Sequence, residues 1–174
     1  MSDVILEPMS EAHVSDALVG WLNDKELMKY SRQRLFDHSK ETSLAYLRSF
    51  SGTPNHYWAV ISTAGQRLIG TLNAYVSIEN EVGDMGLLIG DVSVRGKGHG
   101  RQAWLLGMNY LFRELGLRKV TGGTSALNRA MVTIFERSGM IMEGCRREQE
   151  LINGVPSDVV LYGILRREWE ERSN

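Results

Sequence analysis

The chain has one cysteine, Cys145, and three prolines in 174 residues. A lone cysteine excludes an internal disulfide and fits a reducing compartment. The four histidines, His13, His38, His56 and His99, are scattered, and no Cys/His spacing matches a zinc site. Charge of one sign is also missing: 20 Lys and Arg against 21 Asp and Glu give a formal net charge of −1. Dedicated nucleic-acid binders normally carry a basic surplus, so no nucleic-acid partner is expected. No window approaches the ~18 apolar residues of a membrane span. Residues Met1 to Pro8 lack the basic start and apolar run of a signal peptide. A cytoplasmic location with no membrane partner is therefore expected.

What is present suits one ordinary domain spanning residues 1–174. The hydrophobic fraction of 43% is too high for disorder. The length falls within the roughly 100–200 residues of a single core. The oddity is eighteen glycines beside so few prolines.

Patterning gives the order of elements. Val4-Ile5-Leu6, ended by Pro8, reads as an edge strand. Ser10 is placed to cap a helix from Glu11 to about Asn23, with Val14, Ala17, Leu18, Trp21 and Leu22 on its apolar face. Residues 24–38 are mixed and polar. Ser39 caps a second helix with Leu44, Leu47 and Phe50 inward. Tyr57 to Ser62, Arg67 to Ser77 and Asp84 to Ile89 read as three strands of an antiparallel meander. An amphipathic helix then runs to about Leu115, with Trp104, Met108, Leu111 and Leu115 in register and Gly116 as its C′ residue. Arg118 to Thr124 is a strand, and Asn128 opens a helix that Gly139 ends. Met140 to Leu151 and Asp158 to Leu165 form a hairpin, whose Pro156 suggests a loop longer than two residues. The class is α/β or α+β, with helices flanking one mixed, mostly antiparallel sheet.

Arg95-Gly96-Lys97-Gly98-His99-Gly100 lies between a strand and a helix N-terminus. First-turn amides lack internal partners, and the helix dipole is positive there. Glycines let backbone approach a phosphate, and Lys97 and Arg101 add charge. The segment reads as a phosphate or pyrophosphate cradle. The Walker pattern fails, because Gly96-Lys97 is followed by Gly98. A dinucleotide fingerprint fits loosely from Gly98 to Ala103, but Arg118 to Ser125 holds no confirming carboxylate. A plain chain reversal stays open as the simplest reading.

The same segment resembles the Arg/Gln-x-x-Gly-x-Gly/Ala signature of the GNAT superfamily of acyl-CoA-dependent N-acyltransferases. Asp84 to Ile89 is similar to that family's fourth strand. Asn128 with Phe135-Glu136-Arg137-Ser138-Gly139-Met140 resembles the helix that follows its fifth. The hairpin from Cys145 to Tyr162 resembles the branch with ribosomal-protein N-terminal, spermidine and amino-sugar acetyltransferases. The likeness covers roughly residues 4–170.

The resemblance implies the following. Acetyl-CoA is the co-substrate, with no metal. Its pyrophosphate meets Arg95, Gly96, Lys97, Gly98, His99, Gly100 and Arg101. Its pantetheine lies along Leu88 and Ile89, where the fourth strand splays from the fifth. Two amides in pantetheine mimic strand donors and acceptors. Asn128 bonds pantetheine, caps its helix, or does both. Asp84 is the implied general base, with a solvated turn carboxylate as the plainer reading. The family's usual acid, a tyrosine, is replaced by Phe135, which leaves Tyr162 or Ser125, or an unprotonated thiolate. Cys145 reads as a packing residue and His99 as solvent-facing. The acceptor is a small amine or a peptide N-terminus, held by residues 21–38 and the hairpin, and a homodimer is compatible with the resemblance. A non-catalytic acyl-CoA sensor is the alternative.

Overall fold

The computed structural model describes residues 3–173. The seven strands among them are β1 (Val4–Pro8), β2 (His56–Ser62), β3 (Arg67–Ser77), β4 (Val82–Ile89), β5 (Lys119–Ser125), β6 (Ile141–Ile152) and β7 (Val155–Leu165). The helices are α1 (Asp16–Asn23), α2 (Lys40–Arg48), α3 (His99–Asn109), α4 (Arg129–Arg137) and α5 (Arg166–Ser173). One sheet takes the order β1-β2-β3-β4-β5-β7-β6. Every ladder is antiparallel except β4 with β5. The expected mixed sheet with flanking helices is thus observed, with β1 at an edge.

Strand alternation divides the apolar residues between two faces. Trp58 and Val60 of β2, Leu72, Ala74 and Val76 of β3, and Met85 of β4 meet Trp104, Met108, Leu111 and Phe112 of α3 and its extension. Ala59 and Ile61 point the other way, where Leu18 of α1 and Leu44 and Leu47 of α2 pack. The sheet is therefore covered by α3 and α4 on one side and by α1 and α2 on the other.

Three local expectations need correction, and one helix lies beyond them. The helix placed at Glu11–Asn23 is broken: a 3-10 turn at Glu11–His13 ends at Val14, and α1 restarts under a new cap. Two serines compete for the role, and Ser15 takes the Leu18 N–H at 3.3 Å. Leu115 is not in register, being 37% exposed while Phe112 is fully buried. The α3 helix widens into a π turn at Tyr110–Glu114, which rotates the last residues off the core face. The hairpin loop is only Asn153-Gly154, both at positive φ as a tight hairpin turn requires. Pro156 is tolerated because β5 pairs with β7 only from Val159 onward, so one side of Pro156 faces no ladder. Finally, α5 had no apolar period to announce it. It is fixed instead by Trp169 stacking on Phe112 at 5.1 Å and by Arg166 donating to the Phe112 carbonyl at 2.6 Å.

Helix α3 packs tightly on the sheet at Gly107. A Cβ there would lie 2.5 Å from Leu72 Cδ2 and 2.9 Å from Met85 Cε. Overpacking of this kind costs about 1–3 kcal/mol. Gly107→Val should therefore lower the thermal midpoint by several degrees, and an unchanged melt would contradict this close approach.

Candidate active site

The parallel ladder between β4 and β5 is short. It runs through Val82↔Lys119, Gly83↔Val120 and Asp84↔Thr121, and then stops. Yet β4 continues to Ile89, held by β3, and β5 continues to Ser125, held by β7. Beyond Asp84 the two strands diverge, as the resemblance implied. Aromatic bulk fills the space below: a Cβ at Gly122 would meet Phe135 Cε1 at 2.9 Å and Trp104 Cη2 at 3.0 Å. Gly100 of α3 sits against Ile134, Ile89 and Leu87.

The divergence opens into a cavity of about 790 Å³. Its inner wall holds Gly86, Leu87 and Leu88 of β4, Gly123, Thr124 and Ser125 of β5, and Asn128 and Phe135 at α4. Its outer wall is built by residues 27–38, α2 and the hairpin. A volume of this size suits a small-molecule site.

Of the expected loop residues, Gly96 and Gly98 have φ of +72° and +88°, and a Cβ at either would meet no atom within 4 Å. Gly98 is the N-cap of α3, and no side chain caps that helix. The first-turn amides are thus left to an outside acceptor. Arg95 donates to the Gly90 carbonyl at 3.3 Å, while Lys97 is exposed. The loop is braced from behind by Arg67, which meets Asp91 at 2.6 Å and Ser93 Oγ at 2.9 Å. Hydrogen bonding from Ser93, with Arg67 and Lys97 nearby, holds the Asp91 carboxyl below its usual range. Two side chains depart from expectation. Arg101 places Nε and Nη2 on the Arg137 carbonyl at 3.1 and 2.9 Å, closing the C-terminus of α4. His99 is half-buried rather than solvent-facing, and its buried Nδ1 has no partner among the described residues.

Asn128 caps α4 through the Met131 N–H at 3.3 Å and donates to Thr124 Oγ1 at 3.0 Å. Both residues line the cavity. Leu88 does so too, whereas Ile89 turns toward the main core. Asp84 is exposed at the last β4–β5 pair and accepts from Thr121 Oγ1 at 2.7 Å. It shares a sheet face with Gly86 and Leu88 but is not among the cavity-lining residues. Tyr162 is buried, packs on Phe135 at 5.0 Å and donates to Glu136 Oε1 at 3.3 Å. Burial first, and Glu136 second, push its phenol up. Ser125 bonds Ser157 at 2.8 Å. Cys145, expected to pack, is exposed, with Sγ 3.6 Å from Asp158 Oδ2. Desolvation and that carboxylate push its thiol up. Among the described residues no cluster of three metal-ligating side chains occurs.

The outer wall holds what patterning could not single out. Tyr46, Tyr57 and Tyr75 line the cavity with Asn73 between them. They come from three elements, so no linear spacing marks them. The one signal the sequence carries for them is the alternation of Thr71, Asn73 and Tyr75 along β3, which puts these three on a shared face.

With this geometry in view, comparison with known proteins is specific. The acetyltransferase (GNAT) domain family matches residues 3–141. The chain belongs to that family. A Bacillus subtilis protein named a probable N-acetyltransferase, YjcK, is 28% identical over 118 residues, which are 67% of this chain and 65% of that one. The chain thus spans just under two thirds of that relative. Among solved structures, a Vibrio cholerae spermidine N-acetyltransferase in complex with CoA and spermine superposes with a TM-score of 0.87 at 20% identity, covering 97% of this chain and 98% of that one. A GNAT-family acetyltransferase from Bacillus anthracis gives 0.81 at 18%, covering 95% and 96%. At those identities the likeness is one of fold. No helix among the described residues is long and apolar enough to cross a membrane.

The double role of Asn128 generates a test. Asn128→Ala removes the cap and the Thr124 bond together and should cost about 1 kcal/mol or more in denaturant unfolding. No loss would mean that the cap is redundant.

Proposed function

We propose that this domain is an acetyl-CoA-dependent N-acetyltransferase that acts on a primary amine by direct attack, with both substrates bound together. The observation that carries the reading is the β4–β5 divergence beside an uncapped helix N-terminus, with a cavity running from one to the amine-facing elements. The cradle fits a pyrophosphate: left-handed glycines leave space where a Cβ would project, and the exposed Lys97 stands beside them. Arg101 serves the end of α4, so charge neutralisation at the loop rests on Arg95, Lys97 and the peptide dipoles. The unpaired edges of β4 at Leu88 and Ile89 and of β5 receive an amide-bearing arm in the manner of an added strand. When bound, acetyl-CoA supplies an activated thioester.

The chain's own groups then have three tasks. They desolvate and orient the amine, accept its proton, and polarise the acyl carbonyl. Asp84 is the proposed proton acceptor, reached through water along the face it shares with Gly86. Tyr162 is committed to Glu136, and Phe135 has no proton to give. The thiolate accordingly leaves unprotonated, which a thiol of ordinary pKa ~8.5 allows near neutrality.

The acceptor end favours a single amine over a polyamine. Its carboxylates are Asp37 and Glu150, and Glu150 lies 3.8 Å from Arg34. Arg32 adds a positive charge to the same wall. A peptide N-terminus or other monoamine with an apolar neighbour fits Leu27, Met28, Tyr30 and Phe36 better than spermidine does. Phe135 also favours a second reading, a sensor that binds acetyl-CoA without turnover.

Calorimetry with acetyl-CoA and a coenzyme A release assay across peptide N-termini, polyamines and amino sugars separate these readings. Stoichiometric binding with turnover of at least one amine is expected, and binding without turnover would favour the sensor. Gly98→Val, strained at φ +88°, should weaken acetyl-CoA binding by roughly fivefold or more, equivalent to about 1 kcal/mol. Unchanged affinity would contradict the cradle.

A further inference from the structure

We infer that Asn73 seats the acceptor amine, its side-chain Oδ1 being the acceptor that holds the nucleophilic N–H above β4. The inference rests on the acetyltransferase reading and adds a residue to it. Asn73 lies on β3 directly opposite Gly86 of β4. Gly86 is two residues past the last β4–β5 pair, at the inner wall of the cavity. The amide leans over that glycine: a Cβ at Gly86 would stand 2.5 Å from Asn73 Oδ1.

The direction of the hydrogen bonds leaves that oxygen uncommitted. Asn73 Nδ2 donates to Tyr46 Oη at 2.9 Å. Tyr46 Oη and Tyr75 Oη are 2.8 Å apart. A phenol that accepts from the amide has its own proton available for its neighbour, so the chain runs from Asn73 to Tyr46 to Tyr75. It consumes an amide donor and no amide acceptor. The rings cannot easily turn away. Phe50 stacks on Tyr57 at 5.1 Å and on Tyr75 at 5.8 Å, and Tyr46 stands edge-on to Phe50 and Tyr57 at 5.1 and 5.2 Å. Burial, followed by the Tyr75 contact, pushes the Tyr46 phenol well above its usual range, so it stays neutral.

The chemistry suits an amide. A carboxylate at this position would favour the ammonium form and oppose loss of the proton that attack requires. An amide carbonyl orients an N–H without adding charge. A primary amine keeps a second N–H to release and a lone pair for the thioester. The neutral tyrosine wall around it is consistent with a monoamine whose neighbouring atoms are apolar.

The test uses the full chain with the best amine from a panel of a tripeptide, spermidine and glucosamine. Asn73→Leu should lower kcat/KM for the amine at least tenfold while the calorimetric Kd for acetyl-CoA stays within twofold. Gly86→Ala, which pushes a methyl into Asn73 Oδ1 from the opposite strand, should lower amine turnover in the same direction. Tyr46→Phe, which frees the amide to rotate, should do so by a smaller factor. Should Leu prevent folding, Asn73→Ala removes the amide without added bulk and is read identically. Unchanged kcat/KM in the Asn73 variant would overturn the inference. Parallel loss of acetyl-CoA affinity would overturn it as well, because Asn73 would then act on the fold. A wild-type chain that turns over none of the amines would overturn the proposed function and this inference together.

Discussion

Everything in this molecule depends on one interrupted ladder. Two parallel strands pair for three residues and then part. Parting strands leave backbone donors and acceptors without partners, which is costly unless something else satisfies them. The chain compensates for the separation mechanically. On one side, β4 keeps its full antiparallel ladder with β3; on the other, β5 keeps its ladder with β7. Beneath the gap, Trp104 and Phe135 press on Gly122, and Ile134 reaches Gly100. The wedge is hydrophobic and close-packed, so the gap is a fixed feature of the sheet.

The helices that form the wedge also present the charged end of the site. Helix α3 begins at His99, just after Gly98 and beside the gap, and no side chain caps its N-terminus. Its far side is tied to α4 by Arg101, and the segment leading into it is tied to β3 by the Arg67–Asp91 pair. Loop, gap and cavity are therefore braced to one another by packing and by two guanidinium contacts. Net charge near zero is no obstacle to anion binding in such a site, since the attraction comes from oriented peptide groups and a few local cations.

Much of this was legible in sequence. The strand and helix order followed from periodicity, and the alternate glycines at 96, 98 and 100 marked the loop; two of them, Gly96 and Gly98, hold the left-handed backbone that favours glycine. Gly100 also serves helix packing, a role that shows only with the neighbours Ile89 and Ile134 in place. Arg101 shows a similar ambiguity: a cation beside a phosphate loop and a cation at a helix C-terminus have the same one-dimensional signature, and the fold places this one on the Arg137 carbonyl. The Tyr46–Asn73–Tyr75 chain was not legible as a unit. Its members lie on α2 and β3, and only the folded sheet brings them over Gly86. The short α5 was hidden because one stacked tryptophan, not an apolar stripe, holds it.

The central claim is that the unpaired stretch of β4 and the α3 N-terminus together receive acetyl-CoA. Amide hydrogen exchange measured with and without acetyl-CoA tests it most directly, because it reads those backbone groups themselves. Added protection is expected at residues 85–89, 98–101 and 122–125, with little change in β1, β2 and the far ends of β6 and β7. Protection confined to other segments, or none at saturating ligand, would contradict it.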